Sequence, residues 1–253
     1  MNAMFRMIGG GIARYLSKRR HTHSPSAATP PDRLLACLKP GDVLLVDGDT
    51  RVSAAIKYLT QSTWSHAALF VGGHETSGLN VPGHFFVEAD LVGGVRSVGI
   101  EEFKGLHTRI CRPVGLTVEE CRAVTKFAVD SIGHQYDLRN VFDLARYLLP
   151  TPPVPARFRR RMIALGSGDP TRAICSTLIS QAFQTINYPV LPMIEHRPAP
   201  REDCQACVRE VLHIRDHSLF TPRDFDVSPY FEIIKPSIVD GFDFRTLNWE
   251  RAS

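Results

Sequence analysis

Apolar positions along the chain alternate between a helical and a strand period, and the switches outline a single α+β domain. At the N-terminus Phe5, Ile8, Ile12 and Leu16 recur at helical spacing, with Arg6, Arg14, Lys18, Arg19 and Arg20 between and after them. That pattern suits a short amphipathic helix, residues 1–20, lying on an anionic membrane surface. Gly9 to Gly11 weaken it, and a frayed terminus is the plainer expectation. Residues 21–33, "HTHSPSAATPPDR", are too rich in Pro, Ser and Thr to pack and are expected to form a linker.

The domain proper, 34–253, opens with "LKPGDVLLVDG": Pro40-Gly41 reads as a turn and Val43 to Val46 as a buried strand. "TRVSAAIKYLTQS" (50–62) carries Val52, Ala55, Ile56 and Leu59 on one helical face. Two strands follow, His66 to Val71 and His84 to Ala89, an expected antiparallel pair joined by a Gly-rich loop, 72–83. Residues 117–133 predict a helix with Thr117 as N-cap, Glu120 at the capping-box position and Gly133 as stop. "LRNVFDLARYLL" predicts another, and 150–170 reads as an irregular basic insertion. A further helix, "TRAICSTLISQAFQTI", starts near Thr171. "SLFTPRDFDVSPYFEIIKP" reads as loop and edge strand laid over the domain, and no internal repeat is present.

Composition narrows the class. With 253 residues, 43% hydrophobic and 22% charged, the chain can bury a sizeable core, and a formal charge of +4 makes no case for nucleic acid. The six cysteines are scattered, which fits reduced thiols in a cytosol better than a disulfide framework. No apolar run reaches the roughly 18–20 residues needed to span a bilayer. The N-terminal basic cluster follows the apolar stretch, the reverse of a secretory signal. The expected location is the cytoplasm, with a peripheral membrane hold through residues 1–20 as the alternative to a frayed terminus.

Cys175 carries the first candidate chemistry. It sits one turn inside a helix whose Ile174, Leu178, Ile179, Ala182, Phe183 and Ile186 cover more than one face, as in a central, buried helix. The positive helix end and its free N–H groups favour thiolate and could hold an oxyanion. Free cysteine is also commonly buried and inert, so position alone does not make it a nucleophile. His66 adds weight. His66, Ala68 and Phe70 share one strand face, where small neighbours leave room for a helix terminus against the ring, and Phe86, Glu88 and Asp90 share a face of the next strand. A carboxylate could therefore reach across and orient the imidazole, completing a Cys–His–carboxylate triad.

Two other clusters compete. Cys204, Cys207, His213 and His217 form a C-x2-C…H-x3-H pattern that could hold zinc, although only five residues separate the second cysteine from the first histidine. A helix with surface cysteines is the bland alternative. Arg157, Arg159, Arg160 and Arg161, alternating with Phe158, Met162 and Ile163, could face phospholipid headgroups or simply water.

The ordered set "LKPGDVLL", "SAAIKYLTQSTWSHAALFVG", "FFVEA", "GHQYDL" and "ICSTLISQAF" resembles the circularly permuted branch of the NlpC-like, papain-fold cysteine hydrolases, which includes YiiX-like and lecithin:retinol-acyltransferase-like proteins. The resemblance runs from Leu38 to Ile186, and "TPRDFDVSPYFEIIKP" is similar to the family's closing segment. It implies a permuted papain-like α+β fold, with the histidine strand before the cysteine helix and a small antiparallel sheet packed on that helix. It further implies Cys175 as nucleophile, His66 as base, Glu88 as orienting residue with Asp90 as substitute, and Tyr136 beside the nucleophile. A helix and the basic insertion separate Tyr136 from Cys175, a departure from the family pattern. The expected activity is a hydrolase or acyltransferase working through an acyl-thioester, without cofactor or metal. Its substrate would be an acyl lipid or a peptide-like amide. A non-catalytic lipid- or peptide-binding module and a zinc-stabilised interaction protein are the competing expectations.

Overall fold

The computed structural model describes residues 28–73, 77–79, 81–90, 93–134, 174–199, 204, 207–239, 241 and 243–246. The expected N-terminal amphipathic helix, the helix after Tyr136 and the basic insertion lie outside them.

The elements are α1 (Pro31–Cys37), β1 (Val43–Asp47), α2 (Arg51–Thr60), β2 (His66–Phe70), β3 (Phe86–Asp90), β4 (Gly94–Val98), β5 (His107–Pro113), α3 (Val118–Asp130), α4 (Ile174–Gln184), β6 (Met193–Pro198), β7 (Val208–His213), α5 (Pro222–Val227), β8 (Phe231–Ile234) and α6 (Pro236–Val239). Six strands form one sheet in the order β4-β3-β2-β1-β5-β8, and every adjacent pair is antiparallel. The molecule is thus an α+β domain, as the alternation of periods predicts.

The run "VLLV" is apolar at consecutive positions because both sheet faces are covered. Val43, Leu45, Ala67, Leu69, Val87 and Cys111 pack with Val124 and Ala128 of α3 and with Leu178, Ile179, Ala182 and Phe183 of α4. On the opposite face Leu44, Val46, Ala68, Phe70, Phe86, Val98 and Ile110 pack with Leu34 and Cys37 of α1 and with Ile100 and Phe103 of a short 3-10 helix, Ile100–Phe103. Full burial of a large aliphatic or aromatic side chain contributes about 1.5–3 kcal/mol, so these two layers dominate the stability.

Local signals set several boundaries. In the capping box of α3 the Glu120 N–H donates to Thr117 Oγ1 (3.2 Å) and the Thr117 N–H donates to Glu120 Oε2 (2.8 Å). The expected linker ends earlier than 33, because Pro31 at the first helical position pre-sets φ and α1 begins there. Asp42 ties α1 to β5: its buried carboxylate accepts from Arg112 Nε (2.9 Å) and Nη2 (2.7 Å), and Arg112 Nη2 also donates to the Cys37 carbonyl. The C-terminal segment supplies edge strand β8 against β5, as expected. Its Asp226 accepts from Trp64 Nε1 (3.0 Å) and from Arg109, whose guanidinium also stacks 4.9 Å over the Trp64 ring.

Two expectations are corrected. Cys204 and Cys207 are joined in a disulfide, so these two of the six cysteines are not free thiols. Residues 208–213 are neither helix nor zinc site; they form β7, paired with β6 in a separate hairpin. Val208, Val211, His213 and their neighbours alternate across a two-stranded ribbon, and that period of two outweighs the helical pattern read from the sequence.

Candidate active site

Strands β2 and β3 pair over only two positions, Leu69↔Val87 and Phe70↔Phe86. Towards His66, β2 keeps β1 as its partner, while Glu88, Ala89 and Asp90 pair with β4. The sheet therefore opens into a fork, and the candidate residues meet there.

A local irregularity starts the fork. Val46 is in register with His66, yet its carbonyl accepts from the Ser65 N–H (3.1 Å), so two residues of one strand share a single partner, as in a β-bulge. Ser65 Oγ in turn accepts from the Gly48 N–H (2.9 Å). Further along, the Phe70 N–H donates to the Asp42 carbonyl on the β1 side (2.8 Å). By the strand's alternation the Ala67 N–H then faces away from β1, into the fork. There it favours the ionised form of the Cys175 sulfur.

The sequence leaves room for a helix terminus against the His66 ring but does not say which sheet face carries the body of α4. The helix lies on the face opposite Ala68 and Phe70, against Ala67 and Leu69. Cys175 meets His66 only because β2 and β3 part and the first turn of α4 stands at the gap. Cys175 is 4% exposed, and burial pushes its thiol up, but the His66 imidazolium beside it, the hydrogen bond to that ring, the Ala67 N–H and the Ser176 hydroxyl together hold it below the ordinary thiol range. His66 mirrors this: burial opposes its charge, yet Cys175 and Glu88 raise it well above the usual histidine value. Burial pushes the thiols of Cys111 and Cys121 up instead.

Glu88 provides the carboxylate. His66 Nε2 lies 2.7 Å from Glu88 Oε2, which leaves the other ring nitrogen for the sulfur. Burial pushes the Glu88 carboxyl up, but His66 and Arg96 outweigh it and hold it below the usual glutamate value. The carboxylate against the ring is that of Glu88, while Asp90 accepts from the Gly93 N–H (2.8 Å) in the β3–β4 turn. Tyr136 lies outside the described residues.

The zinc expectation finds no support. Besides the disulfide, His213 Nε2 lies 2.7 Å from Glu195 Oε2, and His217 starts a separate 3-10 turn. No group of three metal-ligating side chains occurs among the described residues. Among them, too, no helix is long and apolar enough to cross a membrane.

Sequence reasoning missed Arg96. Its Nε (3.0 Å) and Nη2 (2.7 Å) both donate to Glu88 Oε1, and Nη2 also donates to Glu102 Oε1 (3.0 Å). The signal was the tight turn after Asp90, which sets Glu88 opposite Arg96, but the β4 strand itself went unread.

No family model and no curated protein matches the chain. Among solved structures, the metalloprotein yiiX from Escherichia coli O157:H7 is a weak neighbour, at 15% sequence identity and a TM-score of 0.44, with 78% of this chain and 96% of that one covered.

Proposed function

We propose that the protein is a cysteine hydrolase or acyltransferase that cleaves an ester or amide through an acyl-thioester on Cys175. One observation carries this: a buried thiol on α4 beside an imidazole, each favouring the other's charged form, with the imidazole itself hydrogen-bonded to a buried carboxylate. Inert buried cysteines lack such a partner, and the depressed thiol is what a nucleophile needs. The order of elements, histidine strand before cysteine helix, agrees with a permuted papain-like fold, which we propose as the finer description.

In the reaction the Cys175 thiolate attacks the carbonyl carbon. The C–S bond forms as the carbonyl π pair moves onto oxygen. Backbone N–H groups beside Cys175 are the proposed donors to that oxyanion. The oxyanion collapses, the bond to the leaving nitrogen or oxygen breaks, and the His66 imidazolium supplies its proton. Neutral His66 then takes a proton from water or an acceptor alcohol or amine, which attacks the thioester and releases the thiolate. Glu88 keeps the ring in one tautomer and stabilises its charged form. An acyl lipid is the proposed substrate class, with peptide-like amides as the alternative.

The test is acyl trapping with p-nitrophenyl butyrate, read by mass spectrometry of the Cys175 peptide, together with iodoacetamide labelling across pH. The expected result is a butyryl adduct on Cys175, labelling of Cys175 at lower pH than Cys111 or Cys121, and a loss of about 10²–10⁴-fold in turnover for His66→Ala. If no adduct forms and His66→Ala leaves the labelling of Cys175 unchanged, the chain is a binding module.

A further inference from the structure

Polar contacts continue past Glu88 in a line of alternating charge. Glu102, on the 3-10 helix, binds Arg96 on β4; Arg96 binds Glu88 on β3; and Glu88 binds His66 on β2, whose charge acts on Cys175 of α4. Exposure falls inwards along this line, from 46% for the Glu102 side chain and 40% for Arg96 to 3% for Glu88. Glu102 and Arg96 meet water, Glu88 does not, and the His66 side chain beyond it is 26% exposed.

Glu88 has two oxygens and two clients. Both guanidinium donors of Arg96 fall on Oε1, and His66 Nε2 falls on Oε2. A carboxylate with only one client could rotate about its last bond; with Arg96 gripping Oε1, Oε2 is left facing the ring. The planar Nε/Nη2 pair delivers two converging N–H groups, which a lysine ammonium cannot do in that fixed geometry. Arg96 also adds its positive charge to that of His66 in holding this buried carboxylate ionised.

We propose that Arg96 is the positioning residue of this site, holding Glu88 ionised and oriented so that His66 stays charged beside the Cys175 thiolate. The assignment rests on the reading of Cys175 and His66 as a nucleophile–base pair. Arg96 touches neither the sulfur nor the ring and acts only through Glu88. The charged groups acting on Arg96 are Glu88 and Asp90 from β3 and Glu102 from the 3-10 helix; those acting on Glu88 are His66 and Arg96. Glu102 anchors the outer end, and its half-exposed pair is screened by solvent, so its share is small.

The experiment is the pH profile of Cys175 alkylation in wild type, Arg96→Gln, Arg96→Lys, Glu102→Gln and His66→Ala, with Lys126→Gln, which breaks only a surface pair on α3, as control. A ¹³Cε1-histidine NMR titration of His66 runs in parallel. Loss of a close opposite charge shifts a pKa by about 1–3 units. Transmitted through Glu88, the expected result for Arg96→Gln is a rise of about one unit in the Cys175 profile, a fall in the His66 titration midpoint, and about tenfold slower labelling at neutral pH. Arg96→Lys falls between that and wild type, Glu102→Gln stays close to wild type, and Lys126→Gln matches it. Arg96→Gln profiles that superimpose on wild type while His66→Ala shifts Cys175 overturn the assignment and leave the nucleophile–base pair standing. If Arg96→Gln does not fold, Arg96→Lys at the wild-type profile overturns it equally. If His66→Ala leaves Cys175 unmoved, the underlying pair fails and the Arg96 assignment falls with it.

Discussion

Glu88 is buried to 2% exposure and still holds its charge, because His66 and Arg96 each neutralise one of its oxygens. That arrangement has a pH signature. Its pKa in the unfolded chain is that of an ordinary glutamate, 4.5, and folding lowers it. A group depressed on folding binds more protons unfolded than folded, so its contribution is complete above pH 4.5 and is lost as pH falls through the lower folded value. Urea denaturation between pH 6 and 3 should therefore show wild type losing stability below about pH 4.5 more steeply than Glu88→Gln. Parallel curves would mean that Glu88 is not held ionised by its partners. Residue chemistry of this kind was only half legible: Cys175, His66 and a carboxylate of the next strand could be named from strand and helix periods, but Glu88 and Asp90 share a strand face and no local rule separates them. The folded sheet sets Glu88 against the ring, while Asp90 accepts from the Gly93 N–H.

At the scale of elements, the site depends on where β2 stops pairing with β3. The bulge at Ser65 and the close approach of Gly48 set the position of His66 at the mouth of the fork. A Cβ on Gly48 would lie 2.4 Å from Ser53 Oγ and 2.9 Å from Ser65 Oγ. Ser53 cannot turn away freely, since its hydroxyl bonds Thr50 Oγ1 at 2.8 Å. Overpacking of this kind costs about 1–3 kcal/mol, so Gly48→Ala is expected to lower stability by that amount in thermal or urea unfolding. It should also slow Cys175 alkylation, through displacement of His66. A stability loss with an unchanged alkylation profile would detach the bulge from the site. Elements with strong local signals, α3 with its capping box and β1 with its apolar run, were legible in the sequence. β4 and β5 were not read, since Arg96, Ser97, Arg109 and Arg112 interrupt their apolar pattern with side chains that have partners only in the folded sheet.

On the scale of the whole molecule, the six-stranded sheet with its two helical layers is one cooperative body, and the β6–β7 hairpin stands apart from it. Its strands pair with each other and are otherwise largely exposed. The Cys204–Cys207 disulfide closes a very short loop near its tip, where the entropic gain is small. The Cys204→Ser/Cys207→Ser double variant should thus lose less than about 1 kcal/mol of global stability. Amides of 193–198 and 208–213 should exchange faster with deuterium while those of Val43–Asp47 stay protected. Faster exchange in β1 as well would show the hairpin to be part of the core. The sequence by itself determined the α+β class, the buried helix that carries Cys175, the histidine strand and the capped helix α3. Those follow from periodicity and from hydrogen bonds between residues close in the chain, which local pattern encodes directly. Only the tertiary structure decided that Cys175 reaches His66 through a parting of two strands rather than across a sheet face, that Glu88 rather than Asp90 orients the ring, and that Arg96 holds Glu88. These depend on strand register and on where a ladder ends, and both are set by the packing of residues far apart in the chain.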